Sequence, residues 1–291
     1  MVSVLERRPS ISVVIPAYES WGTLPAVLDA LAPQIRDRDR EVVVVESSGD
    51  GAEQKLGRWP WARVVALPER TLPGRARNLA LQVAAGEWLA YLDADSVPDP
   101  GWLDALEQAA EPGIDAVAGA ILNGTPRSPV GTAGYLLEFA DWLPGRRGRL
   151  LHAASCNLLV RRDALVRAGG FAEDVWPGED TILTFAFAAD GRLAFAPAAR
   201  VRHLNRTRFG DFLEHQRRLG RAFADVCARV DFPHRALGRP RAAPLAGPFR
   251  LGALAYRLAP QPRQAAAALA LMPVLAAGVF AWTLGLAEAR R

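Results

Sequence analysis

After a polar start the chain runs ISVVIPAY (11–18), a string of β-branched residues checked by Pro16. Apolar character that is continuous rather than alternating predicts a strand buried on both faces. TLPAVLDALAPQI (23–35) then carries apolar residues at helical spacing, with Thr23 placed to cap it and Pro25 in the first turn. EVVVVES (41–47) predicts a second buried strand, followed by the loop SGDG, and ARVVAL (62–67) a third. GRARNLALQVAAG (74–86) predicts another helix, and EWLAYLDAD (87–95) a fourth strand. Strands alternating with helices at this rhythm mean βαβ units and a parallel sheet. In such sheets ligands bind beyond the carboxyl ends of the strands.

The second half is less regular. AVAGAIL (116–122) predicts a strand, AGYLLEFADWL (133–143) a helix, and NLLVRRDALVRAGGF (157–171) a strand turning into a helix that stops at Gly169–Gly170. EDTILTFAFAADG (179–191) predicts a helix that begins in two acids, and RLAFAPAARVRHL (192–204) a strand interrupted at Pro197. From 265 to 287, 23 residues pass without a charge. That length suits a bilayer-spanning helix. Weakly apolar alanines and the central Pro273 leave a re-entrant or interfacial helix open, and a soluble core helix is the alternative. PFRLGALAYRLAP (248–260) has the aromatic, Leu and Arg mixture of a segment lying on a membrane surface. The expected organisation is an α/β domain over 8–235 and a membrane-associated helical tail over 245–291.

A chain of 291 residues, 50% of them hydrophobic, can bury a full core in one large domain or two small ones. The net charge of +4 is unevenly spread. Residues 201–263 hold thirteen arginines against the four acids Asp211, Glu214, Asp225 and Asp231. A stretch like this can meet nucleic acid, anionic lipid or phosphorylated substrates. Cys156 and Cys227 have no metal-type spacing, which favours a reduced, cytosolic setting. MVSVLERRPS has no apolar core region and does not read as a signal peptide.

The fourth strand ends in Asp93 and Asp95 with only Ala94 between them. Like charges so close cost free energy unless something positive answers them. Carboxylates at i and i+2 after a strand offer hard oxygen ligands to Mg²⁺ or Mn²⁺, and a cation so held can neutralise a departing diphosphate. Taken alone, an Asp-x-Asp triplet is weak evidence.

The order PAY after the first strand, VVVES in the second, GRARNLAL, YLDAD, then GED (178–180) and a later His resembles the family 2 glycosyltransferases of the GT-A fold over roughly residues 10–222. The resemblance implies an α/β, Rossmann-like three-layer sandwich, here followed by C-terminal membrane-associated helices. It puts Pro16, Ala17 and Tyr18 at the nucleotide base, and Glu46 where the family usually has an Asp contacting that base. Arg75, Arg77 and Asn78 would meet the nucleotide or order its loop, the helix start suiting phosphate. Asp93 would face ribose and metal with Ala94 beside it, Asp95 would ligate the metal, and Asp180 would be the general base. His203 would complete the metal site or touch the diphosphate. In HQRRLGRAF (215–223), Gln216, Arg217, Arg218 and Arg221 resemble a basic helix that closes over the donor, a solvated or lipid-facing helix being the alternative. Glu19 after Tyr18, and ESSGDG after the second strand, depart from the family's usual residues and leave the base open among uracil, guanine and thymine.

The implied activity is metal-dependent, inverting transfer of a sugar from a nucleotide-diphospho-sugar to a hydroxyl of a glycan or lipid-linked acceptor. A UDP-sugar is the favoured donor, with GDP- or dTDP-sugars next, and no nucleic-acid partner is expected. The site of action would be the cytoplasmic face of the cell membrane. A nucleotidyltransferase shares the sheet and the metal carboxylates, but its basic Gly-rich loop would follow the first strand, where PAYESWGT is neither basic nor Gly-rich. A non-catalytic, membrane-tethered nucleotide-sugar-binding protein of the same fold is the other rival. His152, His215 and His234 read as surface or capping residues, and both cysteines as inert core thiols. Tyr135 and Trp142 read as core or acceptor-groove aromatics.

Overall fold

The computed structural model describes residues 10–35, 39–49, 51–146 and 148–289. The N-terminal reading and the domain start at residue 8 lie outside these. β1 (Ile11–Ala17), α1 (Leu24–Ile35), β2 (Arg40–Glu46), α2 (Ala52–Leu56), β3 (Ala62–Ala66), α3 (Pro73–Val83) and β4 (Trp88–Tyr91) follow the expected alternation. They are succeeded by β5 (Ser96–Pro98), α4 (Trp102–Gln108), β6 (Ala116–Asn123), α5 (Pro129–Phe139), β7 (Leu158–Arg161), α6 (Arg162–Arg167), α7 (Glu179–Ala189) and β8 (Leu193–His203). The chain finishes in α8 (Phe209–Arg229), α9 (Ala243–Leu258), α10 (Pro262–Ala270) and α11 (Met272–Ala287).

All eight strands join one sheet in the order β3-β2-β1-β4-β7-β6-β8-β5. β1 to β4 are parallel, so their carboxyl ends share one edge. Their residues Val13, Val14, Ile15, Val42 to Val45, Leu89 and Ala90 have no exposed surface, as an apolar run covered on both sides requires. β7 runs antiparallel between β4 and β6, which converts the sheet to mixed. Pro197 does not end the last strand. It falls in a bulge, where Gly119 pairs Ala196 and Ala120 pairs Arg200, and β8 resumes for its second half. β5, α2 and α4 carry too few residues to show a period and are additions to the sequence reading.

The C-terminal segment, expected as a membrane-associated helical tail over 245–291, packs against the body of the protein. Leu254, Leu258, Ala268 and Leu275 belong to the main core cluster. α11 lies along α8 so closely that a Cβ at Gly220 would fall on the Trp282 carbonyl, and one at Gly285 on the Arg217 carbonyl. Two glycines facing across a crossing let the backbones touch. α10 and α11 are bent by 80° at their junction, and no single helix among the described residues is long and apolar enough to cross a membrane. These helices leave Leu245, Phe249, Tyr256, Leu269, Met272, Phe280 and Leu284 exposed, Phe249 and Tyr256 at the border of the cleft described below.

Candidate active site

Leu92 N still donates to Val14 O across 3.1 Å, after which the chain leaves β4. Asp93, Ala94 and Asp95 form the loop that follows, and Ser96 then pairs antiparallel with His203. Leu204 N donates to Asp95 O at 2.8 Å, locking that register. The pairing brings together two residues far apart in sequence: His203 Nε2 lies 3.5 Å from Asp95 Oδ1.

The chemistry of that gap follows from Asn205. Its Nδ2 donates to Asn123 Oδ1, Thr125 Oγ1 and the His203 carbonyl at 3.0–3.1 Å. Its Oδ1 is therefore the acceptor that meets His203 Nδ1 at 3.0 Å, so that Nδ1 carries the proton. With Nδ1 so engaged, the uncharged form of the ring presents the Nε2 lone pair to a carboxylate oxygen that is itself buried and, among the described residues, without a hydrogen-bond partner. Two facing acceptors want a cation between them, and a ring nitrogen oriented through its other nitrogen is how proteins prepare a His ligand. The residues fit a divalent metal. Among the described residues no cluster of three His, Cys, Asp or Glu exists, so further ligands would come from substrate or water.

Asp93 has a different partner. Arg77 sits on the inner face of α3 among Gly74, Ala76 and Ala80, and is itself buried. Its Nη2 donates to Asp93 Oδ1 at 2.8 Å and its Nη1 to Glu179 Oε1 at 2.5 Å, while the guanidinium lies over the Phe171 ring. Burial alone would pull the Arg77 pKa down, but Asp93, Glu179 and Asp180 more than reverse this and hold it above its ordinary value. Burial pushes the Glu179 carboxyl up to about 7 against the pull of Arg77. Burial likewise raises Asp93, with Arg77 opposing.

Gly178, at φ 116°, turns the chain into α7, and the next two side chains diverge. Glu179 goes inward to Arg77, whereas Asp180 stays half-buried on the cleft wall. Asp180 Oδ2 accepts from Ser155 N and Oγ at 2.9 and 3.1 Å, and its Oδ1 accepts from Thr181 N at 2.6 Å. Thr181 Oγ1 lies 3.2 Å from His152 Nδ1. His152 is not a surface residue as its sequence context suggests. It stands edge-on to Trp142 and Phe232 in the cleft, where burial lowers its pKa.

These groups line one open cleft of about 1480 Å³. Pro16, Tyr18, Arg77, Asp93, Ala94, Asp95, Asp180 and His203 all contribute to it, and Arg70 stacks over Tyr18 at 4.7 Å. Other expected site residues lie outside its lining. Ala17 is buried, its carbonyl accepting from Ser47 N. Glu46 is buried, both its oxygens taken by Ser48 N, and Ser48 Oγ in turn accepts from Glu19 N at 2.7 Å. Its carboxylate therefore ties two loops together. Arg75 is exposed. Asn78 bonds Phe171 N and O and Glu173, ordering the loop before α7.

The basic face of α8 is largely committed elsewhere. Arg217 and Arg221 pair with Glu288, Arg218 covers Trp176, and Gln216 donates to Glu138 at 2.8 Å. His215, also in the cleft, meets Glu138 at 3.0 Å and is buried. His234 is exposed against Phe249. Tyr135 is a core residue bonded to Ile121 O, while Trp142 is buried with an edge in the cleft. Burial raises both cysteine thiols, that of Cys227 to about 11, so neither is a ready nucleophile.

Known proteins with this sheet include a mannosyltransferase, PcManGT, from Pyrobaculum calidifontis in complex with GDP-Man and Mn²⁺. It is 24% identical, with TM-score 0.64 over 95% of this chain and 86% of that one. Glucosyl-3-phosphoglycerate synthase from Mycobacterium tuberculosis follows at 23% identity and TM-score 0.56, covering 77% of this chain and 81% of that one. Likeness at this level shows a shared fold, and the fold is GT-A. Among sequence relatives, the pre-mycofactocin glycosyltransferase of Mycobacterium tuberculosis (strain H37Rv) is 27% identical over 231 residues, 75% of this chain. This chain spans about half of that relative's length, 48%. Glycosyltransferase AglE of Haloferax volcanii is 27% identical over 226 residues, 75% of this chain and 74% of its own. The family model described as glycosyl transferase family 2 matches residues 12–165, more than half of the sequence, and the chain belongs to that family.

Proposed function

We propose that the protein transfers a sugar from a nucleotide-diphospho-sugar to a hydroxyl acceptor, with inversion at the anomeric carbon. The observation that carries this reading is the facing pair Asp95 and His203, in the same cleft as the half-buried carboxylate of Asp180. Asp95 and His203 would hold Mg²⁺ or Mn²⁺, which supplies charge neutralisation at the diphosphate leaving group. Tyr18 and Arg70 offer a stacking wall for the nucleotide base. Arg77 fixes Asp93 at the floor, so the loop holding Asp95 keeps its shape when charge develops beside it. Asp180, its orientation set by Ser155 and Thr181, takes the proton of the acceptor hydroxyl as that oxygen bonds to the anomeric carbon and the bond to the diphosphate breaks. The names of the solved relatives, which mention GDP-Man, Mn²⁺ and a glucosyl transfer product, agree with this substrate class.

The same proposal puts the enzyme at the cytoplasmic membrane surface, acting on a membrane-linked glycan or lipid. Its support is the row of exposed apolar residues on α9 to α11, with the arginines of 201–263 preceding and flanking it. Turnover of UDP-, GDP- and dTDP-sugars with Mn²⁺, with and without chelator, tests the reaction. Slow donor hydrolysis that depends on metal supports transfer, and release of nucleotide unaffected by chelator refutes the metal assignment.

A further inference from the structure

The cleft is longer than one donor needs. Ligand pockets run to about 1,000 Å³, and the volume here leaves room for a second substrate beyond the metal end. That far part is built from α5, the turn after it and the inner face of α9, and its charges do not balance. Arg146, Arg250 and Arg257 all line it. The carboxylates opposite are already committed: Asp141 pairs with Arg257, and Glu138 receives His215 and Gln216. Glu138 is held down to about 2, with His215 overcoming the effect of burial, so that acid stays ionised and occupied.

Arg250 and Arg146 remain underused. Arg250 spends one Nη2 bond on the Leu137 carbonyl and rests on Trp282, but its Nη1 is buried with no partner among the described residues. Arg146 bonds the carbonyls of Gly148 and Arg149, and its Nε is buried with no partner among the described residues. Burial pushes both guanidiniums below their ordinary pKa, Glu138 opposing at Arg250 and Asp141 at Arg146, with Arg257 adding to the fall. Three guanidiniums thus face two carboxylates that already have partners, while Arg146 lies over Phe195 and Arg250 over Trp282, and buried cations so incompletely answered are costly. An incoming oxyanion would satisfy the orphaned N–H groups and relieve the mutual repulsion at once. The position is near the chemistry: Leu137, which Arg250 bonds, is two residues from Phe139, whose ring packs on His203 at 4.5 Å.

We infer that this part of the cleft is an anion subsite, and that the acceptor carries a phosphate or carboxylate gripped by Arg250 and Arg146. The inference rests on the transfer reading for the word acceptor alone. Anion binding itself can be measured without turnover.

The test titrates the full chain, free of nucleotide and metal, with inorganic phosphate and with glycerol 3-phosphate. Saturable binding is expected, weakened about tenfold to a hundredfold in Arg250→Gln and in Arg146→Gln and unchanged in Asp95→Ala. Two separate variants keep the question open to answer should one fail to fold. No saturable binding by the parent, or equal affinity in both arginine variants, overturns the subsite; the second result would mean that phosphate sits at the donor end instead. Flotation with phosphatidylcholine vesicles, with and without phosphatidylglycerol, identifies the source of the anion. A preference for the anionic vesicles that is lost in Arg250→Gln assigns a lipid headgroup, whereas phosphate binding without that preference assigns a soluble acceptor. Metal-dependent donor hydrolysis on the same preparations reports the transfer reading independently. Its failure beside intact anion binding removes transfer and leaves the subsite.

Discussion

Asp93 and Asp95 are separated by one alanine and live in opposite electrostatic settings. Asp93 belongs to a closed cluster, in which Arg77 joins it to Glu179 through bonds of 2.8 and 2.5 Å. Asp95 faces a His203 nitrogen across 3.5 Å, with one oxygen left unsatisfied. The division recurs one element away, where Glu179 is closed into the cluster and Asp180 stays open to the cleft. Closed acids hold the frame, and open acids are available to a ligand. A positive group does answer the acid pair at the end of β4, but the protein supplies only the half that Asp93 needs.

The largest effect expected from this division is at Asp95. Asp95→Ala should abolish transfer and calorimetrically detected Mn²⁺ binding while leaving the melting temperature unchanged or higher, since a buried unpaired oxygen is removed. Normal turnover by this variant in chelator would erase the distinction between the two acids. Next comes Asp180→Asn, whose single amide oxygen can keep the bonds from Ser155 or the one from Thr181 but not both, and which cannot take a proton. Turnover should drop by about 10²–10⁴-fold with donor affinity kept. A parent-like rate in Asp180→Asn together with loss in Glu179→Gln would exchange the roles of the open and closed carboxylates.

Arg77→Met tests the frame. It strands two carboxylates around an apolar side chain and should lower unfolding free energy by about 3–5 kcal/mol, nearer the lower figure because Asp93 is partly open to water. Denaturant midpoints at fixed slope measure this, and a loss below about 1 kcal/mol would mean the cluster is not structural. The smallest effect is a pH slope. Glu179 ordinarily titrates near 4.5 and is raised to about 7, so the folded state holds its proton more tightly than the unfolded one. The stabilisation this gives is complete below about 4.5 and lost as pH climbs through 7. Melting temperature should therefore fall across that window in the parent and fall less in Glu179→Gln; parallel curves would contradict the shift.

The parallel half of the sheet was readable because β1, β2 and β4 carry uninterrupted β-branched and aliphatic runs, a pattern that leaves little choice. Asp95 stands out locally, as half of an acid pair where a buried strand ends, whereas Asp180 and His203 are legible only through the spacing of short motifs. The meeting of His203 with Asp95 depends on the three-residue β5, too short to show a period. Arg77 carried a cue that was overlooked: an arginine among Gly74, Ala76 and Ala80 sits on a stripe of small residues facing inward, and a buried guanidinium demands acids. His152 and Arg250 gave no sequence signal, because what makes them cleft residues is the tertiary placement of α7 and α9. The charge-free run 265–287 fits two surroundings at once. Its composition fits lipid, yet Gly278 and Gly285 are spaced to admit neighbouring helices, and the segment spends its inner face on α8 and α5.

The contact of α8 with α11 through Gly220 and Gly285 has a practical and an evolutionary edge. Cutting the chain near Arg241 would take Leu258 and Leu275 out of the main core, Trp282 off the face of α8, and away the wall that carries Arg250, so a shortened protein that behaves differently around membranes would report damage rather than detachment. Retention on vesicles has to be probed by recolouring the outside, for example Leu245→Ser, Leu269→Ser or Phe280→Ser, with the crossing left whole. Over longer times the outward positions are free to drift with whatever lipid or partner they meet. Positions 220 and 285 are not, because either one can gain a side chain only if the last helix slides away from the enzyme it encloses.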